Sequence, residues 1–437
     1  MLDKIKTRVK SVSKSVASKA SRGKQNDGQY IVGLDIGTEF VKALIGKIVD
    51  DNQIEIIGTG RTHQELSDMQ AGAISDIASV VNNCDQALNQ AEQQAGVSAR
   101  GAVIGIAGEL VKGTTTHVRC RRKDPTKEMS IDEVERIITL VQARAKERAK
   151  QQLVWELGGK DVEIRIVNSA LVGIEIDGYP VTNPVGFKGK EVVVQLYTAF
   201  APMIHIGALE RTAHELDLDL VAVAAEPFAV SRSVIGDDPN ASMSAILMDV
   251  GGGTTDIAVI NDGGVQGTKM FGIGGRAFTR SVERDLNVSF LQAEDLKLGL
   301  SDNKAPRAKV PDIEAALTKT LDVWLSGVEL ALGEFPQLDH LPHRLLLCGG
   351  GSSLDMLMDK LEESSWYTDL PFTRKPIVQH IQPSQVVGIV DKTGSVTDHT
   401  YITAMGLLRV GMDTLQQQDS SFSTGTLRER IDKILRV

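Results

Sequence analysis

Residues 30 to 58 read Tyr30-Ile-Val-Gly-Leu-Asp35-Ile-Gly37-Thr38-Glu-Phe40-Val41-Lys42-Ala43-Leu44-Ile45-Gly46, then a polar Asp50-Asp51-Asn52 turn and Ile54-Glu55-Ile56-Ile57-Gly58. Apolar and β-branched runs broken by Gly-Thr and by Asp-Asp-Asn predict strand, tight turn, strand, turn, strand. Residues 244 to 275 repeat the plan: Ser244-Ala-Ile-Leu-Met-Asp249-Val-Gly251-Gly252-Gly253-Thr254-Thr255-Asp256, Ile257-Ala-Val-Ile260, an Asn261-Asp-Gly-Gly264 turn, then Thr268 to Phe271 and Gly272-Ile-Gly-Gly275. Asp35 and Asp249 stand 214 residues apart, a half-chain repeat that predicts a duplicated α/β fold with two facing halves.

Such turns suit phosphate chemistry. Glycines let backbone N–H groups approach phosphate oxygens, and a Thr hydroxyl adds a donor. An Asp at a strand end can hold the waters of a magnesium ion, which keeps several of them when bound. A third glycine turn, Gly349-Gly350-Gly351-Ser352, follows the apolar run Arg344-Leu-Leu-Leu-Cys and precedes a helix starting near Leu354. Strand, glycine run and helix N-terminus form a nucleotide-contacting arrangement in which the backbone lies flat against base or ribose. One such turn alone is an ordinary hairpin or strand-to-helix turn; the matched set is the signal.

With 437 residues, 42% hydrophobic and 4% aromatic, the chain is long enough for two or more domains with cores. It contains no apolar run of about 18 residues and no signal-peptide block, so a cytoplasmic body is expected. Cys84, Cys120 and Cys348 are far apart, which argues against disulfides and zinc. Residues 1 to 28 hold eight Lys/Arg against Asp3 and Asp27, a charge of +6 within a total of −9, leaving −15 on the rest. An acidic body and scattered aromatics exclude sequence-independent nucleic-acid binding. The basic end points to an anionic surface.

Together these motifs resemble the actin and Hsp70 ATPase superfamily over residues 29 to 412. Asp35-Ile-Gly-Thr38 resembles its first phosphate motif, Asp249 to Asp256 its second, and Gly349 to Ser352 its adenosine motif. Ala293-Glu294-Asp295-Leu296-Lys297 with Gly299 resembles the segment gripping adenosine from the other side. Ala225-Glu226-Pro227 and Ala404-Met-Gly406 resemble the two connecting helices. The resemblance implies ATP or ADP with magnesium as cofactors. Asp35 and Asp249 would organise Mg and water, and Gly37, Thr38, Gly251, Gly252, Gly253 and Thr254 would hold phosphates. Glu294, Lys297, Gly349, Gly350, Gly351 and Ser352 would hold adenosine, and Glu226 would position the attacking water. Lys42 would reach a phosphate oxygen. The alternatives are that Lys42 faces solvent from its strand and that Glu226 caps its helix.

The segment from 108 to 190 reads as an inserted α+β subdomain. A helix begins at a Ser130-x-x-Glu133 capping box with the stripe Ile131, Val134, Ile137, Ile138 and Val141, and strands follow at Val162 to Val167 and Leu171 to Ile176. Ile131-Asp-Glu-Val134 and Asn183-Pro-Val-Gly186 resemble the extra subdomain of the bacterial FtsA division family. The C-terminus agrees. After a polar linker over 413 to 425, residues 426 to 437 place Leu427, Ile431, Ile434 and Leu435 on one stripe, with Arg428, Arg430, Lys433 and Arg436 off it. A basic amphipathic helix on a tether suits membrane-surface anchoring; a last helix packed on the body is the alternative. Leu2, Ile5, Val9, Val12 and Val16 give the N-terminus a similar spacing, with a disordered basic tail as the other reading.

The expected domain plan is a basic tail (1 to 28), the first half (29 to 107, 191 to 225 and 378 to 412), the insert (108 to 190), the second half (226 to 299 and 341 to 377) and a short subdomain (300 to 340). The linker and terminal helix complete it. The resemblance implies a filament-forming protein that anchors the division ring of the tubulin-like GTPase FtsZ at the cytoplasmic side of the membrane, with weak ATP hydrolysis at most. Residues 300 to 340 read as one long helix, shorter than the FtsA subdomain that docks FtsZ. That raises the alternative of a PilM-like adaptor of type IV pilus assembly. A sugar kinase would need a substrate cleft with a positioned Asp base, and a chaperone a large C-terminal domain; neither pattern is present.

Overall fold

The computed structural model describes residues 30 to 419, apart from 51, 52, 110, 236 to 242 and 364. The expected basic tail and the amphipathic helix carrying Leu427, Arg428, Arg430, Ile431, Lys433, Ile434 and Leu435 lie outside the described residues.

The sequence repeat is a repeat of topology. In the first half Tyr30–Ile36, Phe40–Asp50 and Gln53–His63 form an antiparallel meander, and Gly101–Ile106 and Asp219–Ala225 extend it as parallel strands. Ile389–Asp391 closes the far edge of this six-stranded sheet. In the second half Ala245–Val250, Thr255–Asn261 and Gly264–Phe271 form the meander, with Arg344–Cys348 and Ile377–His380 in the parallel positions. Parallel strands buried on both faces require near-continuous apolar runs, which Ala245 to Met248 and Leu345 to Leu347 supply. The short turns also set the register: Lys42 stands across from Asp35, and Asp256 across from Asp249.

The insert joins the second half's sheet. Lys112–Arg121 pairs with Gly264–Phe271 through Gly113 and Thr114, and Glu191–Pro202, Ile164–Ile176 and Tyr179–Pro180 continue the order, making nine strands. Two expectations are corrected here. Glu191–Pro202 belongs to this sheet and not to the first half's, because both its edges are bonded to insert strands. The two strands expected between 162 and 176 are one strand, Ile164–Ile176, whose register shifts absorb the irregular middle. Helix Ile131–Glu156 packs Val134, Ile137, Ile138 and Val141 on the sheet. Only half of its capping box forms: Ser130 Oγ accepts from Glu133 N–H at 3.3 Å, while the Glu133 carboxylate is taken bidentately by Arg122 at 2.8 and 2.9 Å.

Two helices connect the halves, Glu226–Ile235 and Ile402–Asp419. They cross closely at Gly406, where a Cβ would lie 2.3 Å from the Ala229 carbonyl oxygen. The last helix runs through 413 to 419, so the linker expected from 413 is helical there. Asp413 holds the extra turn by accepting from Arg232 Nη2 at 2.6 Å and Arg409 Nε at 3.0 Å. Residues 420 to 425 lie outside the described residues. The expected boundary at 377 also moves, since Ile377–His380 is a strand of the second half's sheet.

Helix Val310–Gly333 occupies most of the expected short subdomain. Its Trp324 is fully buried and donates from Nε1 to Thr255 Oγ1 at 2.9 Å, and that hydroxyl donates to the Ile273 carbonyl at 2.7 Å. The long helix therefore braces the strand that leaves the second glycine turn.

Candidate functional site

The three glycine turns converge. Gly37 N–H donates to the Phe40 carbonyl at 3.1 Å, and the buried Gln64 side chain donates to the Gly37 carbonyl at 2.6 Å, fixing the first turn. Gly251 N–H donates to the Thr254 carbonyl at 2.9 Å, and the start of helix Gly275–Leu286 donates to the Gly251 and Gly252 carbonyls at 2.9 and 2.8 Å, fixing the second. These two turns touch: a Cβ on Gly253 would lie 2.6 Å from Thr38 Oγ1, and one on Gly252 would lie 2.9 Å from Glu39 Cβ. The third turn packs behind the second. Gly349 has φ +80°, and a Cβ on it would lie 2.0 Å from Asp249 Oδ1. Gly350 has open space around its Cβ position, and Ser352 Oγ donates inward to the Gly349 carbonyl at 2.8 Å.

Beneath the turns lies a buried charged group. Asp35, Asp249, Asp256 and Glu226 are all under 9% exposed, with Lys42 Nζ 3.0 Å from Asp35 Oδ2. The Thr403 hydroxyl donates to Asp249, and Thr254 Oγ1 donates to Asp256 Oδ2 at 3.0 Å. Asp256 Oδ1 is buried without a hydrogen-bond partner. Glu226 begins its connecting helix and lies over Gly105, whose Cβ would stand 2.8 Å from Glu226 Oε1.

Burial raises the Glu226 carboxyl well above the usual range, and Asp35, Asp256 and Asp249 push it the same way. Burial with Asp249 nearby does the same to Asp256, and burial with Asp35 nearby raises Asp249 against the Thr403 hydrogen bond. For Lys42, burial pulls downward, but the Asp35 carboxylate and the attraction of Asp249 outweigh it, so the ammonium is held above its ordinary value. Four carboxylates facing one lysine leave a shortage of positive charge. An orphaned carboxylate oxygen beside turns whose Gly37, Gly252, Gly253, Gly349 and Gly351 leave no room for a Cβ makes the site chemically suited to a divalent cation and phosphates. Among the described residues no three His, Cys, Asp or Glu side chains form a direct metal cage.

Glu294 and Lys297 lie on helix Phe290–Ser301. Lys297 Nζ donates to Thr279 Oγ1 at 2.8 Å and the Gly275 carbonyl at 3.2 Å, and pairs with Glu294 at 2.8 Å. Both side chains thus engage the helix whose first residue bonds Gly251. Lys42 does not face solvent: its side chain is 12% exposed and paired with Asp35. The sequence patterns assigned no role to Asp256, Thr403 or Gln64. Asp256 was legible from register, since it mirrors Lys42; the other two meet the site through long-range packing. A stacked pair, His380 and His399, with centroids 3.9 Å apart, also backs the third turn. His380 Nε2 donates to the Ser352 carbonyl at 3.0 Å, and His399 Nε2 lies 3.0 Å from Ser353 Oγ.

A family model for the cell division protein FtsA matches residues 246 to 406. The FtsA of Pseudomonas aeruginosa is 26% identical over 91% of this chain and 92% of its own length. That of Escherichia coli is 25% identical over 90% and 92%. Among solved structures, a PilM-PilN type IV pilus biogenesis complex matches with TM-score 0.63 and 15% identity over 87% of this chain and 98% of that one, a likeness of fold. The chain has the duplicated actin-like α/β fold with an inserted subdomain, and along 91% of its length its sequence resembles the cell division protein FtsA.

Proposed function

We propose that the protein is an ATP-binding, filament-forming division protein that tethers FtsZ polymers to the cytoplasmic face of the membrane. The observation that carries the nucleotide reading is the meeting of three glycine turns over a buried, positively deficient carboxylate cluster. Gly37, Thr38, Gly251, Gly252, Gly253 and Thr254 would hold the phosphates, and Asp35 and Asp249 the waters of magnesium. Glu294, Lys297 and Gly349 to Ser352 would flank adenosine. Bound magnesium supplies positive charge to phosphate oxygens. Lys42 is committed to Asp35 at 3.0 Å, so its contribution is to balance the cluster's charge. Glu226, raised well above the usual range by burial and by its carboxylate neighbours, begins the connecting helix over Gly105 and is the residue this reading assigns to position the attacking water.

The membrane reading rests on residues 426 to 437. Among the described residues no helix is long and apolar enough to cross a membrane, and one amphipathic helix binds reversibly, so polymerisation would supply avidity. Deleting 426 to 437 should abolish sedimentation with anionic liposomes; undiminished binding would contradict this helix as the anchor.

A specific observation favours a second reading, a PilM-like pilus adaptor. One long helix, Val310–Gly333, stands where the resemblance to FtsA implies a larger docking subdomain, and the match with the PilM-PilN complex covers 98% of that chain. Co-sedimentation with FtsZ polymers separates the two: binding supports the division reading, and none supports the adaptor.

A further inference from the structure

The two phosphate turns are linked by a continuous run of hydrogen bonds that crosses between the halves. Arg276 N–H donates to the Gly252 carbonyl at 2.8 Å. The Arg276 guanidinium reaches across to Glu39, with Nε 2.7 Å from Oε2, and contacts the Gln64 carbonyl from Nη2 at 3.4 Å. Glu39 follows Thr38 directly, and its carbonyl accepts from Gln64 N–H at 2.9 Å. The Gln64 side chain then returns to the Gly37 carbonyl at 2.6 Å. The run begins on the second turn and ends on the first. Only one of its links, the ion pair, is charged on both sides, and it joins residues 237 apart in sequence.

We propose that the Glu39–Arg276 pair is a strap that sets the spacing of the two phosphate turns, making Arg276 and Glu39 positioning residues for nucleotide; this rests on the nucleotide reading above. Ordinary surface ion pairs contribute little. This one differs because its side chains are 11% and 22% exposed, because Arg276 is anchored by its backbone to the turn it registers, and because His63 Nε2 holds the other Glu39 oxygen at 2.8 Å. The two turns approach closely enough at Gly252 that a Cβ there would fall 2.9 Å from Glu39 Cβ, so only glycine permits this approach. The pair keeps them from moving apart. A change in the separation of the halves must therefore break or remake this contact, which couples phosphate occupancy to the relative position of the two sheets.

The test uses the full chain carrying Cys120→Ser, with spin labels on Gln93→Cys in the first half and Asp359→Cys in the second, and distances read by pulsed electron resonance. Glu39→Arg and Arg276→Glu should each lengthen and broaden the distance distribution and weaken Mg-ATP binding by roughly tenfold, the scale of a single coupling interaction. The double reversal should restore both. Unchanged distances in the single variants, or a folded double variant that regains neither property, would overturn the strap. The nucleotide reading fails separately: a wild-type chain that does not bind Mg-ATP contradicts that reading, while the distance distributions still decide the strap.

Discussion

Lys42 Nζ lies 3.0 Å from Asp35 Oδ2, directly across the strand pair, and the same register in the second half sets Asp256 opposite Asp249. The duplication is thus symmetric in backbone and asymmetric in charge: a cation answers the first aspartate and a third carboxylate faces the second.

That asymmetry makes Lys42 the charge on which the cluster depends. Lys42→Met should lower stability by about 3 kcal/mol, because breaking a buried pair leaves an uncompensated charge. Magnesium should recover part of the loss if Asp35 and Asp249 hold its waters. Thermal melts of both proteins with and without magnesium measure this, and a variant as stable as wild type would contradict the role.

Neighbouring glycines of the third turn should behave differently. Gly349→Ala forces a left-handed φ of +80° and a Cβ onto Asp249 Oδ1, so it should destabilise the fold by about 1–3 kcal/mol. Gly350→Ala meets open space and should leave the melting temperature unchanged while weakening ATP binding, if the turn lies against adenosine. Equal melting losses in both variants would contradict the packing described.

The parts of this fold legible in the sequence are those set by local chemistry. Buried parallel strands write themselves as runs such as Leu345 to Leu347, and three-residue turns such as Gly37 to Glu39 fix a register from which the facing of Asp35 and Lys42 follows. The strand Glu191–Pro202 reads equally well in either sheet, because its own pattern does not record which edge it joins. Helical residues 413 to 419 look like linker until Asp413 meets Arg232, 181 residues away. His380 and His399 carry no motif at all; strand Ile377–His380 and a short turn bring them together.

Trp324 should couple the long helix to the second turn. Trp324→Phe keeps an aromatic ring but removes the donor to Thr255 Oγ1 and some buried volume, at about 1–3 kcal/mol. Trp324→Ala should lose about 3–5 kcal/mol. Urea unfolding checks the order, and a costless Trp324→Phe would show that the hydrogen bond contributes nothing.

Acid should weaken the His399 contact. Burial, with the stacked His380 adding and Asp398 opposing, pulls the His399 imidazole from 6.5 down to about 4. The folded chain therefore prefers the neutral ring, and its contribution is whole above about pH 6.5 and lost as pH falls towards 4. The raised carboxyls of Glu226, Asp249 and Asp256 act oppositely, favouring the folded state at low pH and losing that contribution as pH rises through their folded values. The difference in melting temperature between wild type and His399→Gln isolates the imidazole. It should shrink between pH 7 and pH 4; a constant difference would contradict the assignment.

The central claim is that the converging turns form a magnesium-nucleotide site. Titration calorimetry of Mg-ATP into the full chain and into Asp249→Ala tests it most directly. The account predicts saturable binding at one site per wild-type chain and at least tenfold weaker binding in the variant, about 1.4 kcal/mol or more; equal affinity in the two proteins, or no binding to wild type, would contradict it.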